Sequence, residues 1–510
     1  MVDLNIRLSW SNGALSPGPF TPDRSPVPHR VSSRVVVSFP RALEKRTHAA
    51  GIPARATSAV GRQGSAASSL SGRIVGLRPS VAPCNNGPVR ILGIETSCDD
   101  TAIAVVEDRT KVLANIVSSQ TDLHRAYGGI VPELASRHHL QNIEPILKEA
   151  LAAAGMTLSD LTGAPGPRDP SNPSIPVRSV CSLNAEGPSG SSGSPIQNGA
   201  PVSTEHAGHI GIDAIAVTAG PGLIGSLLVG VSFAKALAWA TKRPLVAVNH
   251  LEGHVRAAFL ENPDIPYPTL ALVVSGGHTS LYLCPEEGVY RMVARTRDDA
   301  SGEAFDKAAR LLGLGYPGGP IIDRLAKHGD PAAVAFPRAR MSDGSLDFSF
   351  SGLKTALLRH AKATGLAVER TAPSTPYDPH GIERSPVHDA GAPPRQEICD
   401  IAASFQRAVV DALVERTLAA AAAAGVRSVI VSGGVACNSL LRAEMRAACE
   451  RQGLVVAIPS PRYCTDNAAM IAAAGFLHLE RGETAGFDLT ATPGWRLGGP
   501  EAARTTLRHK

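Results

Sequence analysis

Aromatic residues are scarce in this chain: Phe, Tyr and Trp together make up 4% of 510 residues. Any core must therefore be built mainly from aliphatic side chains, and the 43% hydrophobic content is enough to build one. The eight cysteines include no CxxC pair, which argues against a zinc ribbon and against a disulfide framework. There is no Walker A motif, and no dinucleotide-binding fingerprint is expected. Acidic residues are rare at one end: residues 1–88 hold three Asp/Glu against eleven Lys/Arg. The remaining residues hold 42 acidic and 39 basic side chains, so the net charge of +5 does not describe the body of the protein. Global charge gives no argument for nucleic-acid binding, and any such surface must be a local patch.

The basic first 88 residues are rich in Arg, Ser, Ala and Pro, with Arg30, Arg34, Arg41, Arg46, Arg55 and Arg62 recurring through them. That composition is the signature of a transit peptide. It leads to the expectation of a mitochondrial protein, with a plastid as the alternative address. A second region imitates a membrane span, because residues 214–234 carry no charge. The turn Ala219-Gly220-Pro221-Gly222 interrupts it, so a strand at 214–218 and a helix at 223–239 fit better, and no membrane partner is expected.

Ordered patterning starts near residue 89. Strands are expected at 89–94, 101–106, 112–118, 245–248, 270–274, 428–431 and 455–458. Helices are expected at 132–152, 251–260, 304–312, 401–424, 439–452 and 466–479. Alternating strands and helices with glycine turns at strand ends indicate an α/β fold that binds ligands at those ends. Residues 163–209 and 362–396 are rich in proline and lack this patterning, so both read as insertions unable to bury enough surface to order themselves. The resulting division is an extension at 1–88, an N-terminal lobe at 89–266, a C-terminal lobe at 267–465, a helix at 466–490 returning to the first lobe, and a tail at 491–510.

Five constellations carry chemistry. His250-Leu251-Glu252-Gly253-His254 puts two histidines on one helix face, where they can share a metal. The metalloprotease signature HExxH differs, since there the glutamate directly follows the first histidine. Here Glu252 is turned about 200° from His250 around the helix and faces away from such a metal. The segments Val273-Val274-Ser275-Gly276-Gly277-His278-Thr279-Ser280 and Val431-Ser432-Gly433-Gly434-Val435-Ala436-Cys437-Asn438 share a strand followed by Ser-Gly-Gly. Glycines let backbone N–H groups approach phosphate oxygens, although a tight turn explains each segment equally well. With the acidic turn Glu95-Thr96-Ser97-Cys98-Asp99-Asp100 they look like a nucleotide cleft. Asp306, in Gly302-Glu303-Ala304-Phe305-Asp306-Lys307, is either a solvated helix charge or a polar-substrate contact. Asp466, in Cys464-Thr465-Asp466-Asn467, is either a helix N-cap or a metal ligand.

Taken in order, GIETSCDD (93–100), GGIVPELASR (128–137), TAGPGLIGSLLVG (218–230), HLEGH (250–254), VVSGGHTS (273–280), GEAFDKAARLLGLGYPGGP (302–320), FSFSGLKT (348–355), SGGVACN (432–438) and CTDNAAMIA (464–472) closely resemble the tRNA N6-adenosine threonylcarbamoyltransferase family, formerly described as O-sialoglycoprotein endopeptidases. The resemblance covers roughly residues 89–490 apart from the two insertions. It implies the actin/Hsp70-like ATPase fold, with two lobes around a nucleotide cleft. It implies a divalent metal ion, iron or zinc, on His250, His254 and Asp466. It implies substrate-binding positions at Val273, Val274, Ser275, Gly276, Gly277, Asp306, Gly319, Asp323 and Asn438, and an active-site acidic turn at Asp99 and Asp100. Asp100 stands where the family often has Glu, and Asn249 where it frequently has His. The implied partners are tRNA, a threonylcarbamoyl-AMP donor made by a separate synthase, and a second copy of the chain in a homodimer. The implied reaction is transfer of the threonylcarbamoyl group to N6 of the adenosine 3′ of the anticodon. A metal-dependent glycoprotein endopeptidase, a small-molecule kinase on the same fold and a non-catalytic organellar scaffold are the alternatives.

Overall fold

The computed structural model describes residues 87–162, 211–338, 341–366 and 395–498. All but the last two residues of the extension at 1–88, the insertion at 163–209 and most of that at 362–396 lie outside these residues.

The first lobe runs β1 (Arg90–Glu95), β2 (Asp100–Glu107), β3 (Lys111–Ser119), α1 (Thr121–Arg125), α2 (Pro132–Ala153), α3 (Leu158–Thr162), β4 (Ala214–Gly220), α4 (Ile224–Thr241), β5 (Leu245–Asn249) and α5 (His250–Ala257). The second runs β6 (Thr269–Val274), β7 (Thr279–Cys284), β8 (Arg291–Arg295), α6 (Ser301–Leu311), α7 (Gly318–Ala326), α8 (Ser351–Ala363), α9 (Gln396–Ala424), β9 (Ser428–Ser432), α10 (Ser439–Arg451), β10 (Val455–Ala457) and α11 (Pro461–Cys464). A last helix, α12 (Ala468–Glu480), follows.

Each lobe is built on a five-stranded sheet, and the two sheets have one topology. Their orders are β3-β2-β1-β4-β5 and β8-β7-β6-β9-β10. In both, the first three strands form an antiparallel meander, and the fourth and fifth add in parallel after helical crossovers. This duplicated mixed sheet is the actin/Hsp70-like ATPase architecture expected from the sequence.

Strand periodicity explains why both faces of the first sheet are covered. Leu92 and Ile94 point to one face, where they join Leu147, Leu151, Val231 and Ala234 from α2 and α4. Ile91 points to the other, where it meets α12. That helix is apolar all round and almost entirely buried. Its close seat on the sheet needs small residues. A Cβ at Gly93 would stand 2.3 Å from the Ala468 carbonyl oxygen, and one at Gly475 would stand 2.7 Å from the Ala216 Cβ. Helix α4, whose one charged residue is Lys235, is long and apolar enough to cross a membrane, yet it packs along β4 and α2.

Three local expectations change. Helix α12 begins at Ala468, not at 466, because the Asn467 side chain caps it by accepting from Met470 N at 3.0 Å. Helix α9 begins at Gln396, ahead of the expected 401, since Ile398 and Cys399 are already buried in the second core. The described part of the expected tail is packed: Thr492 N donates to Ala219 O, and Leu497 is buried beside Leu251 and Tyr282.

Candidate active site

The two histidines sit in the first turns of α5, directly after β5. The Asn249 side chain caps the helix by accepting from Leu251 N at 3.0 Å, which sets the direction in which the first turn projects. His250 and His254 then face the same way, with ring centroids 4.7 Å apart. Asp466 arrives from the segment before α12. Because Asn467 takes the capping role, Asp466 is free to meet them. Its Oδ1 lies 3.6 Å from His250 Nε2 and 3.2 Å from His254 Nε2.

These three residues fit a metal ion. One ligand atom from each lies within 4.8 Å of the others. Two ligands on a tetrahedral ion at about 2.1 Å would stand about 3.4 Å apart, close to both observed contacts. His254 is fully buried, its Nδ1 has no hydrogen-bond partner among the described residues, and its Nε2 faces only the Asp466 oxygen at 3.2 Å. A neutral imidazole lone pair aimed at a carboxylate oxygen is unfavourable unless a cation stands between the two. Burial holds His254 below its ordinary pKa, which keeps it in the neutral form a metal requires.

The support of His250 was not singled out from the sequence. Glu95, at the end of β1, is fully buried, with Oε2 3.1 Å from His250 Nδ1. Thr218 donates its hydroxyl to the same oxygen at 2.6 Å, and Ser97 Oγ stands 3.1 Å from the same Nδ1. Burial opposes the Glu95 charge, but the adjacent imidazole holds the carboxyl below its usual range. A carboxylate on Nδ1 directs Nε2 toward the metal position. The only sequence signal was an acidic residue closing an otherwise apolar strand. Glu252 faces away from the two histidines, as the helix arithmetic requires, and accepts from His478 Nε2 at 2.9 Å.

The acidic turn lies beside this centre. Asp100 is pushed up to about 7, first by burial and then by the charges of Asp466 and Asp99. Asp99 is also raised, by burial and Asp466. The Asp99 charge helps to raise Asp306 and Tyr316 on the second lobe, and Arg125 Nε donates to Tyr316 O at 3.2 Å, so this part of the first lobe faces α6 and α7. His278, another residue the sequence reading passed over, is pushed down to about 4 by burial and by the charges of His250 and His254.

The expected substrate positions separate into two groups. Ser275, Gly276 and Gly277 form the hairpin between β6 and β7, closed by Ser275 N donating to His278 O. Both glycines are exposed, with open space where a Cβ would be. Val273 and Val274 bury their side chains in the core, leaving only backbone to offer. The second Ser-Gly-Gly turn crosses close by: Gly433 has φ +96°, and a Cβ there would stand 2.3 Å from Val274 O. Deeper in the second lobe, Asp306 Oδ1 accepts from Gly318 N at 2.7 Å, beside Gly319 at the start of α7. Asp323 Oδ1 accepts from Ser439 N and Oγ, next to Asn438, which caps α10 by accepting from Leu441 N. Asp306, on α6, thus fixes the start of α7, while Asp323, on α7, and Asn438 fix the start of α10.

One spacing contradicts the expectation that a dinucleotide fingerprint is absent. Gly220-Pro221-Gly222-Leu223-Ile224-Gly225 has the GxGxxG spacing, between β4 and α4. Its glycines, however, are filled by the chain itself. A Cβ would stand 2.0 Å from Thr492 O at Gly220, 2.5 Å from Ser97 O at Gly222 and 2.3 Å from Ser136 Oγ at Gly225. This turn supports Ser97 and the packed C-terminal segment.

Fold and site together define a two-lobed α/β enzyme with a His-His-carboxylate centre at the base of a cleft. The model of the tRNA N6-adenosine threonylcarbamoyltransferase family matches residues 111–164 and 208–473. A transferase of that description from Anaeromyxobacter dehalogenans (strain 2CP-1 / ATCC BAA-258) is 48% identical over 409 residues, 80% of this chain and 99% of the relative. The one from Symbiobacterium thermophilum is 47% identical over 408 residues, 80% of this chain and 97% of the relative. Component A of Acidaminococcus fermentans (R)-2-hydroxyglutaryl-CoA dehydratase overlays with a TM-score of 0.38 at 14% identity, over 76% of this chain and 98% of that one, too loosely to add to the comparison. The chain belongs to the tRNA N6-adenosine threonylcarbamoyltransferase family and is a transferase that modifies tRNA.

Proposed function

We propose that the donor is threonylcarbamoyl-AMP and the acceptor is N6 of the adenosine 3′ of the anticodon, in tRNAs that read codons starting with A. The observation that carries this reading is the convergence of the acidic turn, the His-His-Asp centre and the two glycine turns on one cleft. The donor is a mixed anhydride made by a separate synthase. Bond formation between N6 and the carbamoyl carbon breaks the bond from that carbon to the phosphate oxygen, and AMP leaves. The N6 proton passes to the acidic turn. Asp100, raised to about 7, has the affinity suited to accepting it near neutral pH, and Asp99 beside it orients the amine. The adenine amine is a weak nucleophile, so holding it against the carbamoyl carbon is much of the catalysis. The exposed Gly276-Gly277 backbone offers N–H groups to the phosphate. Reaching the cleft requires the target base to be splayed out of its loop.

His250, His254 and Asp466 would hold one divalent ion, iron or zinc, which supplies electrophilic stabilisation of charge developing on donor oxygens. His250→Ala and His254→Ala are expected to abolish modification in an assay reconstituted with threonylcarbamoyl-AMP and tRNA. Full activity in metal-stripped protein would overturn the assignment. The proposed compartment is the mitochondrion, on the composition of residues 1–88. A fluorescent fusion of that segment tests it, with plastid or cytosolic signal as the contrary result. The proposed assembly is a homodimer, read directly from the mass in light scattering.

A further inference from the structure

Six cysteines lie among the described residues, and all are free thiols. Cys284, Cys399 and Cys449 are buried, and Cys98 is pushed well above its usual range by burial and by Asp99. The remaining two are a pair. Cys437, at the end of the second Ser-Gly-Gly turn, and Cys464, at the end of α11, meet across one short segment. The Cys437 Sγ donates to Pro461 O at 3.9 Å, and the Cys464 Sγ to Pro459 O at 3.2 Å. The short helix α11, which ends in Cys464, packs against the turn that ends in Cys437. Cys464 is fully buried, whereas Cys437 is only half-buried and open to small solutes. Arg442 reaches over both: its Nη1 donates to Ala436 O and Pro459 O and lies 3.7 Å from the Cys464 Sγ. The neighbouring thiol and then this guanidinium hold the Cys437 thiol below its usual range.

We propose that Cys437 and Cys464 are a redox-modification site, in which peroxide converts the two thiols to a reversible intramolecular disulfide. The Cys437 thiolate attacks a peroxide oxygen, giving a sulfenic acid and one water. The Cys464 thiol then displaces the sulfenic oxygen as a second water, and the S–S bond forms. Two thiols are oxidised and one hydrogen peroxide is reduced, so the step balances with the peroxide as sole oxidant. Accessibility assigns the roles: the half-buried thiol is attacked first, and the buried one resolves it. The bridge would tie the turn that carries Asn438 to the segment leading, two residues on, to Asp466. Either thiol state leaves Asn438 and Asp466 chemically intact, so the effect on the cleft is positional.

The disulfide can be read without any assumption about the reaction the cleft performs. The purified full chain is treated with a small excess of hydrogen peroxide, alkylated and digested with trypsin without reduction. Tryptic peptides 428–442 and 463–481 are expected as one linked species, two hydrogens lighter than their sum and separated by dithiothreitol. Cys437→Ser removes that species, while Cys449→Ser leaves it in place. Absence of the linked peptide, with Cys437 instead over-oxidised to sulfinic acid or Cys464 bridged to another cysteine, overturns the proposal. In the same samples transferase activity falls several-fold on oxidation and recovers with dithiothreitol, and Cys437→Ser resists the loss. Linked peptides with unchanged activity would leave no switch.

Discussion

Glu95 Oε2 stands 3.1 Å from His250 Nδ1, and the carboxylate that closes β1 thereby sets which nitrogen the first histidine offers to the cleft. Nothing covalent or sequential links the two. They meet because β1 and β5 flank β4 in one sheet.

Removing the Glu95 charge while keeping its shape should weaken metal retention more than folding. Glu95→Gln is expected to reduce metal affinity or activity by roughly 10–100-fold, the usual cost of losing a group that orients a ligand. Metal content after dialysis, with circular dichroism as a folding control, checks it. Wild-type metal retention would show that Glu95 does not orient His250.

Asp100 should control the acidic limb of the pH–rate profile. With its carboxyl pushed up to about 7, activity should fall as pH drops below about 7, because protonation removes the acceptor. Asp100→Asn should lower kcat by on the order of 10²–10⁴-fold and abolish that limb. A retained limb in the variant assigns the ionisation elsewhere.

His478 lies between two carboxylates, 2.9 Å from Glu252 Oε2 and 2.6 Å from Glu483 Oε2. Burial alone would lower its pKa, but the two acids raise it to about 9. A folded value above the unfolded value of about 6.5 stabilises the protein fully below that unfolded value. The contribution is lost as pH rises through about 9. Urea unfolding of wild type and His478→Gln should differ most at pH 6 and converge by pH 10. An equal difference at both ends would contradict a charged His478.

The Asn467 cap makes a separable prediction. Asn467→Ala leaves an orphan donor at the start of α12 and should cost about 1 kcal/mol of stability. Asn467→Asp keeps the capping oxygen but loses the amide that donates to Tyr463 O and Thr465 O, so it should not restore wild-type stability. Denaturant midpoints decide, and an unaffected Ala variant would mean the cap is dispensable.

Much of this protein was determined by sequence alone. Strand and helix periodicity placed most of the first lobe and the longer helices within a few residues, because burial on one face imposes a fixed repeat on the chain, but it gave no sign of β7, β8, α7 or α8. The spacing of His250 and His254 placed both on one face of α5 and turned Glu252 away, since helix geometry is local. What the sequence could not decide was everything that depends on distant residues meeting. Asp466 could have been a cap or a ligand until Asn467 was seen to accept from Met470 N. Glu95 looked like one acid among several until the sheet carried it to His250, and His278 until the β6–β7 hairpin turned it toward the same centre. The GxGxxG spacing at 220–225 would suit a phosphate turn by sequence, yet Thr492, Ser97 and Ser136 occupy the space its glycines leave open. Local rules set which elements form and which way they face, and the meeting of elements hundreds of residues apart is a packing outcome that only the tertiary structure supplies.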